Sequence, residues 1–158
     1  MKVYLLTVGS KMPGWVQQGY QEYAKRMPRE METHLVELPL ANRSKNTNTQ
    51  AVKDAEAEQI LSAIDSLPGH KHIIALDVLG KNLTTEKLAD KMAGWQMEGV
   101  CPCLIIGGPD GLAQKVLQMA AEKWSLSGLT LPHPLVRVLI MEQLYRAWTI
   151  LQNHPYHK

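Results

Sequence analysis

Arg137 stands where a charge has to be explained. It sits inside Leu135-Val136-Arg137-Val138-Leu139, at the start of an apolar helical pattern. The first turn of a helix disfavours cations because of the helix dipole. A guanidinium in apolar surroundings is costly unless it is paired or used. Two chemistries fit: an ion pair with a carboxylate elsewhere in the chain, or an arginine that lines a site and grips an anion. His133 lies four residues earlier, and imidazole titrates close to neutrality. Just upstream, Leu126-Ser127-Gly128-Leu129-Thr130-Leu131 offers small side chains, accessible amides and apolar walls. That combination suits a flat apolar ring that also needs backbone hydrogen bonds, such as adenine.

Three further stretches carry weaker signals. In LIIGGPDG, Gly107 and Gly108 let a ligand approach the backbone or simply allow a tight turn. The stretch matches neither GxGxxG nor a phosphate loop, so nucleotide-phosphate binding is unsupported. In IALDVLG, Leu76 and Asp77 precede Gly80, and the aspartate reads as a turn former or a site residue. The tail, His154 to Lys158, joins Tyr156 to His154, His157 and Lys158. A chain end frays by default, yet aromatic and cationic groups together also stack on and neutralise nucleic acid. Cys101 and Cys103 share a strand face but are too few for zinc, so buried reduced thiols and no metal site are expected.

Positioning these residues calls for alternating elements. Apolar spacing predicts strands over 2–9, 33–40, 72–78 and 101–108. It predicts helices over 15–27, 50–64, 83–97, 112–124 and 134–152, with Thr84 or Thr85 capping the third. The polar stretch 41–50 reads as a mobile loop. The order implies an α/β sandwich with a mostly parallel sheet flanked by helices, whose ligands collect beyond the carboxyl ends of the strands. On the last helix, Glu142, Gln143, Arg146, Thr149 and Asn153 fall within roughly a third of the circumference. Apolar residues cover most of the remainder, which suggests a second buried surface, most simply a homodimer interface.

The chain's 158 residues fit one domain, 1–158. A net charge of +2 does not demand a nucleic acid, although a local basic patch would suffice to bind one. No apolar run approaches the ~18 residues that span a bilayer, and the opening apolar run falls short of a signal peptide's ~7 residues. A cytoplasmic protein with no membrane partner is expected.

Several stretches together resemble one family. IIGGPDGL, SLSGLTLPHPLVRVLIMEQLYRAW, NHPYHK and the opening VGSKMPGWVQQGYQEYAKRMP are similar to the ribosomal RNA large subunit methyltransferase H family of the SPOUT methyltransferases. The likeness covers essentially the whole chain. It implies a C-terminal trefoil knot, which nothing in the periodicity suggests, together with S-adenosylmethionine as cofactor and a homodimer with sites near its interface. The reaction implied is methylation at N3 of a pseudouridine in 23S rRNA, on the assembled ribosome. By motif, the cofactor contacts would be Leu76, Gly107 or Gly108, and Leu126, Ser127, Gly128, Leu129, Thr130 and Leu131. Arg137, Tyr156, His157 and Lys158 match positions expected near RNA or the reacting base, and His154 belongs to the same tail. Relatives often end in Arg where this chain has Lys158, which would weaken forked phosphate contacts.

For that reaction the imide proton of the base must be removed, and His133 and His157 are the candidate bases. Arg137 would stabilise the developing anion or hold a phosphate. Three other readings compete: a SPOUT enzyme acting on another RNA, a ribosome-binding sensor of S-adenosylmethionine without catalysis, and a structural dimer without cofactor.

Overall fold

The structure, a computed structural model, describes residues 1–42 and 48–157. Its strands are β1 (Val3–Val8), β2 (Thr33–Leu38), β3 (Lys71–Asn82), β4 (Cys101–Ile106) and β5 (Glu122–Ser125). They form one five-stranded sheet in the order β2-β1-β4-β3-β5, and every pairing is parallel. The helices are α1 (Gly14–Ala24), α2 (Thr49–Ser66), α3 (Thr85–Glu98), α4 (Gln114–Met119) and α5 (His133–Leu151). A parallel sheet needs cover on both faces, and two apolar cores supply it. Val3 and Leu5 of β1 face a core built with α1, α3 and α5, whereas Tyr4, Leu6 and Val8 face one built with α2 and α4. This period-two alternation explains why β1 is apolar throughout.

Local chemistry sets several boundaries. Asn48 caps α2, its side chain accepting from Gln50 N at 2.8 Å. That ends the expected 41–50 loop early; its residues 43–47, with Arg43 and Lys45, lie outside the described residues. Thr84 is the cap of α3, accepting from Lys87 N at 3.2 Å. Cys103 is buried and Cys101 partly so, and neither forms a disulfide. Burial pushes the Cys103 thiol up to about 12.

Two expectations are corrected. The helix expected over 112–124 stops at Met119, and Glu122–Ser125 is an edge strand. Nothing in Ala120-Ala121-Glu122-Lys123 breaks a helix; tertiary pairing wins over propensity. Ala121 N donates to Ile73 O, and Glu122 meets His72 and Lys91 at 2.6 and 2.7 Å. The strand expected to end at residue 78 runs on to Asn82, with a bulge between Leu76 and Lys81, both of which pair with Trp124. The polar stripe of α5 is partly covered, with Asn153 exposed. Thr149 is fully buried, Gln143 meets Thr85 of α3, and Glu142 sits beneath Arg146 and Tyr156. Helix α5 packs between α1 and α3, so a single chain already buries much of its wide apolar surface.

Candidate active site

Because the sheet is parallel, all five carboxyl ends open on one edge. Leu76 pairs with both Ile106 and Trp124, so the point where β3 begins to bulge lies between the ends of β4 and β5. Gly107 and Gly108 continue from β4, and Leu126–Leu131 continues from β5. The residues expected to hold a cofactor therefore converge from three adjacent strands.

Each turn has a local cause. Gly108 and Gly111 close a tight turn around Pro109 and Asp110, with Gly111 N donating to Gly108 O at 3.0 Å. A Cβ at Gly107 would lie 2.9 Å from Leu112 Cδ2 and 3.0 Å from the Gly111 carbonyl carbon, so a larger residue would force Leu112 and the turn to shift. Both readings of this stretch meet here: it is a tight turn, and it borders the shared edge. The segment after β5 is shaped by its serines. Ser125 Oγ donates to Ser127 O, and Ser127 Oγ accepts from Leu129 N, each at 2.9 Å. Gly128, Leu129 and Thr130 stand exposed.

Arg137 grips an anion within its own chain. It is buried, and its Nη1 donates to Glu37 Oε2 at 2.8 Å. Its Nη2 donates to Thr7 Oγ1 at 2.9 Å and Gly9 O at 3.0 Å, and approaches His133 Nε2 at 3.3 Å. Thr7 and Glu37 are register partners on β1 and β2, so they present side chains to the same face. One guanidinium thus ties the carboxyl ends of two strands to the first turn of α5. His133 also hydrogen-bonds the Gly107 backbone. Burial, reinforced by the Arg137 charge, pulls its imidazole down to about 4, so the ring is neutral at pH 7.

The tail lies elsewhere. Pro155–His157 form a 3-10 turn against the flank of α5. Tyr156 donates to Glu142 Oε1 at 3.1 Å, meets the Tyr145 ring edge-on at 4.7 Å, and sits between Arg26 and Arg146. Glu142 is nine residues along α5 from His133, about 13 Å at 1.5 Å per residue. Within one chain, then, Tyr156 docks well down α5 from its start, with His157 beside it and His154 exposed; Lys158 lies outside the described residues.

The family model described as "Predicted SPOUT methyltransferase" matches residues 1–157. The chain belongs to the SPOUT methyltransferases. Proteins called ribosomal RNA large subunit methyltransferase H are 72% identical in Teredinibacter turnerae and 62% identical in Saccharophagus degradans, each over all 158 residues and the whole of the relative. They place it within that family. A probable methylase family protein from Haemophilus influenzae Rd KW20 shares the fold, with a TM-score of 0.58 at 12% identity, over 96% of this chain and 66% of that one.

In this SPOUT methyltransferase, sequence reasoning missed Thr7 and Glu37. Their signal was modest: a threonine within the apolar strand VYLLTV, and an acid at the penultimate position of THLVEL. It also missed how exposed apolar side chains gather. Trp15, Leu40, Leu129 and Leu135 follow the carboxyl ends of β1, β2 and β5, and Val78 and Leu79 lie in the bulged stretch of β3. Of the large apolar side chains exposed among the described residues, only Met97 and Met119 lie elsewhere. No group of three or more His, Cys, Asp or Glu among the described residues is placed to hold a metal, and no described helix is long and apolar enough to cross a membrane.

Proposed function

We propose that this protein uses S-adenosylmethionine to methylate N3 of a pseudouridine in 23S rRNA, acting in the cytoplasm on the large subunit or whole ribosome. The convergence of Leu76, Gly107, Gly108 and Leu126–Leu131 on one sheet edge carries the reading. The donor set fits a nucleoside cofactor. These nine residues offer backbone amides and aliphatic walls and no charged side chain, which suits an adenine ring and would leave nucleotide phosphates without a cation. When bound, the cofactor supplies an electrophilic methyl that passes in line to nitrogen while the C–S electron pair returns to sulfur.

The chain's part is positioning and proton removal. The apolar walls exclude water from the charge-dispersing transfer. The neutral, weakly basic His133, already bonded to Arg137 and the Gly107 backbone, is suited to hold the turn. That leaves His157 as the candidate proton acceptor, with Tyr156 and Lys158 beside it for RNA. Since Tyr156 docks well down α5 in its own chain, we assign His157 and its neighbours to the site of a second copy. The apolar side chains around the edge supply a surface for that homodimer. The same reading takes residues 1–158 as one domain with a C-terminal knot, the chain threading past the β3 bulge at Gly80.

The experiment is methyl incorporation from labelled S-adenosylmethionine into ribosomes lacking the modification, with the site mapped by mass spectrometry. One methyl per 23S rRNA at a pseudouridine N3 is expected, with much slower incorporation into naked rRNA. Cofactor binding without incorporation would favour a sensor, and methylation of other RNA a different substrate. Removing residues 154–158 is expected to leave S-adenosylhomocysteine affinity within about twofold while slowing methylation at least about tenfold, ~1.4 kcal/mol in the barrier. Undiminished methylation by the truncated protein would remove the tail from the site.

A further inference from the structure

We propose that Glu37 is a positioning residue that fixes the Leu126–Leu131 segment in its cofactor-binding shape, acting through Arg137 and His133. This rests on reading that segment as an S-adenosylmethionine site. The segment is tethered at two ends. At its start, β5 pairs with β3 in the sheet. At its end it enters α5 through Pro132, and the first turn of α5 has no capping side chain of its own. What anchors that turn is the Arg137 guanidinium. Glu37 supplies the only carboxylate paired with it among the described residues, and Thr7 and the Gly9 carbonyl supply neutral acceptors. His133, one helical turn before Arg137, carries the constraint across to the Gly107 backbone. The clasp therefore reaches both the β4 turn and the end of the β5 segment, the two backbone walls of the site. The Glu37 side chain is about one-third exposed, at 34%, whereas Arg137 is at 3%. The carboxylate is thus the half of the pair that can be altered while the protein still folds.

A positioning role leaves a particular kinetic mark. If the segment samples other shapes, cofactor affinity falls by the fraction that is competent, and saturating cofactor restores the competent state. A destabilised protein instead loses active molecules, which lowers apparent kcat and leaves KM alone. The test is steady-state methyl transfer to ribosomes with S-adenosylmethionine varied, together with calorimetric titration by S-adenosylhomocysteine, on full-length Glu37→Gln and wild type. The variant is expected to show cofactor KM and S-adenosylhomocysteine Kd raised about tenfold, with kcat within about twofold at saturation. Glu122→Gln breaks the His72 and Lys91 pairs at the amino end of β5. It is expected to lower the melting temperature without moving cofactor KM.

Unchanged KM and Kd in Glu37→Gln overturn the proposal, as does an equal KM rise in Glu122→Gln. Should the amide variant fail to fold, Glu37→Asp decides by the same measure: a raised KM supports the role and a wild-type KM overturns it. If wild type binds S-adenosylhomocysteine but transfers no methyl, the reading of the reaction fails and the Kd comparison still tests Glu37. If wild type gives no heat of binding, both fall.

Discussion

Arg137→Ala is expected to melt well below wild type and to bind S-adenosylhomocysteine more weakly than Glu37→Gln does. Breaking a buried ion pair by removing one partner costs about 3–5 kcal/mol, because the other charge is left uncompensated. Here the orphaned carboxylate is partly exposed and regains water, which places the cost near the lower bound, about 3 kcal/mol. The same truncation strands the buried Thr7 hydroxyl and the Gly9 carbonyl, each worth roughly 1–3 kcal/mol if left unpaired. For a chain of this size, each kcal/mol lowers the melting temperature by roughly 2–4 °C, so a drop of about 10 °C is the expected scale. Arg137→Lys retains the charge but not the fork, and one ammonium cannot reach Glu37, Thr7 and Gly9 as a planar guanidinium does. It should fall between the two. Thermal denaturation and calorimetry check both variants. A wild-type melting temperature in Arg137→Ala, with transfer lost at saturating cofactor, would show instead that the side chain serves the reacting groups directly.

The cation was legible in the sequence because its surroundings were wrong for it; its partner was not. Glu37 lies a hundred residues away and reaches Arg137 only because β1 and β2 pair in the register that sets Thr7 beside Glu37. Spacing along a single strand carries no trace of that register. The same limit hid β5. Ala120 to Trp124 reads as helix because every residue tolerates one, and the strand exists through β3 pairing and the contacts of Glu122. By contrast, β1, β2 and β4 and helices α1, α2, α3 and α5 were readable from local pattern, because each buries a continuous apolar face. The candidate cofactor residues were also nameable, since glycines and small polar residues at strand ends mark where backbone must turn. Their meeting on one edge followed only once the parallel order was in hand. The tail shows the opposite failure. Nothing in its composition reveals that Tyr156 is seated on Tyr145 between two arginines rather than frayed.

The bulge in β3 makes Gly80 the position where the smallest addition should do the most damage. A Cβ there would lie 2.6 Å from the Trp124 carbonyl carbon and 2.7 Å from the Lys123 carbonyl carbon and Trp124 N. All three are backbone atoms of β5, so no side chain can swing aside. Either β5 leaves the edge of the sheet or the bulge unfolds, and in both cases the residues leading to Leu126–Leu131 lose their support. Gly80→Ala is therefore expected to cost more than about 4 kcal/mol, in the range reserved for broken cores and strained backbone, and to abolish S-adenosylhomocysteine binding in whatever protein remains folded. Gly94 supplies the contrast. It lies inside α3 with no atom within 4 Å of its would-be Cβ. There the same substitution should stabilise by roughly 0.5–1 kcal/mol, through helix propensity and a less flexible unfolded chain. Melting curves of the two single variants decide the matter. If Gly80→Ala melted with wild type and bound cofactor analogue normally, β5 would not be held by the close passage beside the bulge. The Leu126–Leu131 segment would then have to owe its shape to the Arg137 clasp alone.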